Sequence, residues 1–349
     1  MSAPPPTLHL LGSSGEGGAE TYFVDLVSAL KGAGLPTQAA IRANAGREAA
    51  LAAVGVETAV LPFGGLFDFS TRGGVARTAE IMGARVLVAW MSRAARHAPG
   101  GPWRRVGRLG GYYDLKYYRG FDRLVGNTRD ICDWIVDQGW PAARVSYIPN
   151  FAEAGDAQPL DRATLDTPKG VPLLLGMGRL HPSKAHDVSL AALAQIPDAF
   201  LWIAGSGPLE AALKAKASEL GVADRVRFLG WRSDAGALYR TADVCVFPSR
   251  YEPLGNTVIQ AWAHGLPVVA AASKGPASLI RDGEDGRLTP IDDVDAFASA
   301  VRALIADASL RTTLADAGCA RAGAEFSRDA VVAQWRALFD ACGDASCAA

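Results

Sequence analysis

The stretch "DVCVFPSRYEPLGNTVIQAWAHGLPVVAA", residues 243–271, decides how this chain folds. "DVCVFP" and "LPVVAA" have the length and apolar content of buried strands, and "TVIQAWAH" between them reads as one short helix. Asn256 or Thr257 can cap that helix, Thr257 and Gln260 have the spacing of a capping box, and Gly265 can take the left-handed position after the helix ends. Strand, helix and strand in such close succession predict a parallel sheet covered by helices on both faces. Glu252 is left over, a lone carboxylate in the turn after a strand.

The alternation continues outward in both directions. "VPLLLGMG", "AFLWIAG" and "RVRFLG" precede this unit and "GRLTP" follows it. The first half offers "LHLL", "TQAAI", "TAVLP", "RVLVAW", "RLVG" and "VSYIP" as strands, separated by helical patterns such as "AETYFVDLVSALKGAG". Around Asn150 the pattern pauses in the polar, proline-bearing "NFAEAGDAQPLDRATLDTPKG". At 349 residues the chain exceeds what one hydrophobic core supports. The expected organisation is an α/β chain of two Rossmann-like domains, over 1–152 and 171–325, with a linker at 153–170 and an amphipathic helix within 326–349. No repeat of solenoid length occurs.

Charged residues make up 20%, hydrophobic ones 49%, and the formal net charge is -1, so no global basic field calls for nucleic acid. "MSAPPPTLHLLG" has no basic segment followed by a long apolar core, and no apolar run approaches the ~20 residues of a membrane span, so a cytoplasmic chain is expected. Cys132, Cys245, Cys319, Cys342 and Cys347 are odd in number and scattered without paired spacing, which argues against disulfides and a zinc site.

In open α/β sheets ligands gather at the carboxyl ends of strands, where turns lead into helix N-termini that attract anions. "LLGSSGEGGAET" places Gly12, Gly15, Gly17 and Gly18 in such a turn, but Glu20 breaks the dinucleotide fingerprint and no P-loop lysine is present. It is either a tight turn or a phosphate or sugar contact. "GMGRLHPSKAHD" puts Arg179 and Lys184 after a strand with no acid between them, a pair that suits a diphosphate. His181 and His186 flank that loop without a third metal ligand. "AGSGPLE" adds Gly205 and Gly207. "FLGWRSD" adds Trp231 and Arg232, with Trp231 either facing a nucleobase or serving as core or rim.

Read together, "GRLHPSK", "AGSGPLE", "VRFLGW", "ALYRTADVCVFPSRYEPLGNTVIQAWAHGLPVVA" and "LIRDGEDGRLTP" resemble, in order and spacing, the retaining GT-B glycosyltransferases of family 4. The first half resembles them more weakly, through "GGAE", "YYDLKYYRGFDRLVGNT" and "YIPNF". The resemblance implies two Rossmann-like domains facing across a cleft, a last helix crossing back onto the first domain, and a nucleotide-diphosphate sugar as donor, with no metal or other cofactor. The family's E-x7-E has its first Glu on the transferred sugar and its second on the ribose. Here the first position is Glu252 and the second is Gln260, a departure that leaves hydrogen bonding but no charge. Gly255, Asn256 and Thr257 would offer backbone N–H groups to the sugar and diphosphate. Arg179 and Lys184 would offset charge developing on the leaving group. Asp293 and Asp295 form a D-x-D, read here as acids at a helix start rather than metal ligands.

No first-domain carboxylate presents itself as a nucleophile, so the resemblance implies same-face substitution with retention. His97 is the nearest match to a first-domain histidine that many members hold near the sugar. From Trp90 to Arg123 basic and aromatic residues interleave, among them Arg93, Arg104, Arg105, Tyr112 and Lys116, with Asn127 just beyond. Such a segment can lie on an anionic bilayer, grip a phosphorylated glycolipid, or be a structural face. The resemblance is strongest to bacterial enzymes that extend lipopolysaccharide core or other envelope glycans, which implies a glycolipid acceptor and a peripheral place on the inner face of the cytoplasmic membrane. A nucleotide-sugar hydrolase or epimerase and an inactive nucleotide-sugar-binding protein are the alternatives.

Overall fold

The apolar runs form thirteen strands in two all-parallel sheets, seen in a computed structural model that describes residues 3–15, 17–65 and 68–343. The strands are β1 (Thr7–Leu11), β2 (Thr37–Ile41), β3 (Thr58–Val60), β4 (Val86–Trp90), β5 (Arg104–Leu109), β6 (Arg123–Gly126), β7 (Val145–Tyr147), β8 (Leu173–Met177), β9 (Phe200–Ala204), β10 (Val226–Gly230), β11 (Val244–Phe247), β12 (Val268–Ala271) and β13 (Arg287–Thr289). The α-helices of the first half are α1 (Gly18–Gly32), α2 (Ala45–Ala53), α3 (Ser70–Ile81), α4 (Met91–His97) and α5 (Arg129–Asp137). Those of the second are α6 (His186–Ala194), α7 (Glu210–Glu219), α8 (Ala235–Thr241), α9 (Asn256–Ala263), α10 (Lys274–Leu279), α11 (Val294–Ala306), α12 (Ala308–Glu325) and α13 (Arg328–Gly343).

The chain divides into two units. The first runs to Asn150 and includes α13; the second is Phe151–Ser327. The first sheet has the order β3-β2-β1-β4-β5-β6-β7 and the second β10-β9-β8-β11-β12-β13. In each, the order reverses beside the first strand, so the switch points lie between β1 and β4 and between β8 and β11, where open α/β sheets leave a crevice at their carboxyl edge. Cys347 and the residues after Gly343 in the expected C-terminal segment lie outside the described residues.

Around the decisive stretch, β11, α9 and β12 follow the expected order, with local corrections. The strand starts at Val268 rather than Leu266, and the helix is capped by Gly255 at φ +91° instead of Asn256 or Thr257. No capping box forms, because Thr257 already stands inside the first turn. Gly265, at φ +69°, turns the chain after the helix in the region glycine enters at least cost. Trp262 of α9 is fully buried and donates from Nε1 to the Asp285 carbonyl at 2.7 Å. Its indole lies so close to α12 that a Cβ on Gly318 would stand 2.3 Å from it.

β5 was not expected from the sequence. It lies inside the first sheet, between β4 and β6, and carries Arg104, Arg105 and Arg108. The sheet accommodates them individually. Arg104 pairs with Asp122 at 3.0 Å, the Arg105 backbone N–H donates to Asp122 at 2.8 Å, and Arg108 is buried with its guanidinium 4.5 Å from the Trp90 ring centre and 5.2 Å from that of Tyr22. Cys245 is fully buried on β11, where it packs as a small hydrophobe, and burial pushes its thiol pKa up to about 12.

Candidate active site

At the switch point of the second sheet two turns meet. The turn after β8 carries Arg179 and ends in a single 3-10 turn, Pro182–Lys184, while the segment after β11 carries Arg250 and Glu252. Arg250 fastens one to the other. Its backbone N–H donates to the Ser183 carbonyl at 2.9 Å, and its guanidinium grips Asp187 at 2.6 and 2.9 Å and Asp292 at 2.6 Å. The Asp187 hydrogen bond raises the Arg250 pKa above its ordinary value.

So held, Lys184 Nζ donates directly to Glu252 Oε2. This corrects the sequence expectation of two cations left without an acid: the acid that Lys184 meets comes from a turn 68 residues further along. Both partners are largely withdrawn from water, at 23% and 13% side-chain exposure, and Nζ also lies 5.2 Å from the Phe247 ring centre. The second carboxylate oxygen accepts from the Gly255 N–H at 3.2 Å, and the Glu252 carbonyl accepts from the Gly275 N–H at 2.8 Å. Arg179, in the same turn, is exposed, and its guanidinium has no ion-pair partner among the described residues. The arrangement therefore joins a carboxylate, an ammonium and a free guanidinium, a set able to bind sugar hydroxyls and neutralise a diphosphate.

The other expected donor-site residues divide. Gln260 is half-buried on α9, one turn beyond Asn256, and its side chain has no partner among the described residues. Thr257 is engaged by the buried Tyr239, whose pKa burial raises well above the ordinary phenol value. Gly205 and Gly207 act sterically, since a Cβ would stand 2.0 Å from the Gly178 carbonyl oxygen in the first case and 2.4 Å from that of Leu180 in the second. They let the turn after β9 close against the turn holding Arg179. Trp231 is 76% exposed, which removes the core reading, and Arg232 is paired with Asp234 at 2.6 Å.

His186 is buried, and desolvation lowers its pKa to about 4, while His181 caps the 3-10 turn through Nδ1. Among the described residues no group of three His, Cys, Asp or Glu side chains is placed to hold a metal ion. Asp293 caps α11, accepting from the Ala296 N–H at 2.9 Å, and Asp295 stands in its first turn, as the sequence suggested.

A second site lies at the switch point of the first unit. The loop Gly12–Gly15 and the start of α4 border an open cavity of about 330 Å³, continuous in its lining with one of about 280 Å³ beside Gly64 and Gly65. The loop is tied to α2. Arg47 donates to the carbonyls of Ser13 and Gly15 at 2.8 and 2.9 Å, and Asn44 donates to that of Ser14 at 3.2 Å. Gly17 caps α1 without a side-chain hydrogen bond, and Gly18 begins it with open space around its Cα. Met91, the first residue of α4, has φ +61°, a strained value for a side chain of its size.

The basic and aromatic segment does not form one exposed face. Trp103, Tyr118 and Phe121 are buried, and Arg104 is paired with Asp122. Arg105 donates to the Gly120 carbonyl, Tyr112 to Asp130, and Lys116 pairs with Asp114 at 2.6 Å. His97 is buried with Nε2 3.2 Å from the Gly64 carbonyl, and Asn127 is buried at the end of β6. Arg93 alone of the expected acceptor residues lines both cavities. Arg42, which joins it there, was missed because a single arginine after a strand carries no signal until its strand is placed beside β1. No helix among the described residues is long and apolar enough to cross a membrane.

Residues 171–307 match the family described as glycosyl transferases group 1. Over 330 residues the chain is 36% identical to the lipopolysaccharide core biosynthesis glycosyltransferase LpsE of Rhizobium meliloti (strain 1021), covering 90% of this chain and 94% of that one. Over 333 residues it is 32% identical to LpsD of the same organism, named likewise, covering 93% and 95%. Among solved structures, Anabaena Alr3699/HepE in complex with UDP has the same fold, with a TM-score of 0.85 at 20% identity over 96% of this chain and 100% of that one.

Proposed function

Because the chain belongs to the group 1 glycosyltransferases and has their GT-B fold, we propose that it moves a sugar from a nucleoside-diphosphate donor to a lipopolysaccharide-core or related envelope glycolipid. The observation that carries this reading is the contact of Lys184 with Glu252 at the second switch point, beside the unpaired Arg179. Glu252 binds hydroxyls of the transferred sugar, and Gln260 takes the ribose. Arg179 and Lys184 hold the diphosphate and offset the charge that grows on it as the glycosidic bond breaks, which removes the need for a metal ion. The new bond forms on the face the diphosphate leaves, its oxygen accepting the acceptor's proton, so the anomeric configuration is retained. Work on a glycolipid places the protein at the inner face of the cytoplasmic membrane, as a peripheral enzyme.

Thermal shift and calorimetry with UDP, GDP, ADP and CMP, with and without magnesium, test the donor half. One nucleoside diphosphate is expected to bind without metal, and Arg179→Ala to weaken it about tenfold. Binding by none of the four, or binding indifferent to Arg179, would overturn the assignment.

A further inference from the structure

Three arginines of the first unit converge on the two cavities at its switch point. Arg42 follows β2 directly, and Arg93 and Arg96 stand on one side of α4, three residues apart. Arg42 and Arg93 line both cavities, and Arg96 lines the smaller. Among the described residues no carboxylate lines either one, and none of the three guanidinium groups has an ion pair or hydrogen bond.

Like charges gathered with no counter-ion among the described residues repel one another, so the cluster favours an anion that enters. The walls suit one. Arg93 is set in place by its stem, which lies on Gly12 so closely that a Cβ there would stand 2.8 Å from Arg93 Cγ. The carbonyls of Ser13, Ser14 and Gly15 are already engaged by Arg47 and Asn44. Ser92, Tyr113 and Tyr117 complete the lining. Guanidinium forks match the oxygens of a phosphate monoester or a carboxylate.

We infer that this is an anion subsite for the acceptor, which carries a phosphate or carboxylate on a sugar near the hydroxyl that is glycosylated. The ligand's being an acceptor rests on the transfer reading above; the subsite itself does not. A donor diphosphate has the same chemistry, and the experiment separates the two sources.

Calorimetry would compare glucose 6-phosphate with glucose, galacturonate with galactose, and UDP, on the full chain and on Arg42→Gln, Arg93→Gln, Arg93→Lys and Arg179→Ala. The charged sugars are expected to bind and the neutral ones not. Arg42→Gln and Arg93→Gln should each weaken the charged sugars about tenfold while UDP binding stays within about twofold, and Arg93→Lys should keep most of the affinity. Arg179→Ala should leave the charged sugars unchanged. Should either Gln variant fail to fold by its melting curve, Arg96→Gln takes its place and should weaken the sugar phosphate about threefold or more. Equal binding of charged and neutral sugars, or charged-sugar binding that survives these changes, overturns the subsite. Loss of UDP in step with the sugar phosphate gives the arginines to the donor and overturns it too. Arginine-dependent binding of charged sugars by a protein that binds no nucleotide supports the subsite and removes the transfer reading instead.

Discussion

Lys184 and Glu252 each gave up much of their water to meet, and such a pair gains little over two hydrated ions while either member alone is costly. Lys184→Ala therefore acts twice. It leaves the carboxylate with the Gly255 N–H as its remaining partner, and it removes a charge aimed at the leaving group. The expected outcome is a fall in kcat of order 10²-fold with the fold retained, measured by steady-state transfer and a melting curve. A fall within about threefold would place the diphosphate elsewhere. Glu252 was legible in the sequence as an acid without a task. Its partner was not, since the two meet only once β8 lies beside β11, a neighbourhood no local pattern encodes. The same holds for Arg42, which gains meaning from the position of β2.

Elements show the same division. The four inner strands of the second sheet, β8, β9, β11 and β12, stand out as apolar runs because both faces of each are covered. β5 does not, because its arginines mask Val106 and Leu109, both fully buried. It is a strand by tertiary rescue: Asp122 and the rings of Tyr22 and Trp90 take charges that a central strand would otherwise expel. The turns between elements carry the tightest tolerances. Gly205 has φ +145° and its missing Cβ would overlap the Gly178 carbonyl, so Gly205→Ala is strained in backbone and in packing together. A loss of at least about 2 kcal/mol in urea unfolding is expected, with a higher KM for the donor because the Arg179 turn must move. Unchanged stability would mean that the two turns do not touch.

At the scale of the whole molecule, the division of the chain depends on α13, which returns to the first unit after the second is complete. Its Trp335 and Phe339 cover His9 on β1, with ring centres 6.5 and 6.1 Å away. Burial holds the His9 pKa down to about 3, and His186 in the second unit is held at about 4. Both are neutral when folded and titrate near 6.5 when unfolded, so unfolding takes up protons at any pH between those limits. Stability must then fall as pH drops below about 6.5, by up to about 1.4 kcal/mol per pH unit for each histidine. His9→Gln, which keeps an acceptor for Trp90 Nε1, should flatten the dependence of Tm on pH between 4.5 and 6.5. An unaltered slope would show that His9 is reached by water.

The path of the chain also has a consequence for its birth. The ribosome builds a chain from its amino end, so the first unit is begun first, yet Trp335 and Phe339 emerge only after all of Phe151–Ser327. The contiguous unit can finish on its own, while the earlier one waits with His9 and its neighbours uncovered. The part of the protein begun first is thus the part closed last, and the exposed face of β1 and β4 is where a chaperone would find work during synthesis.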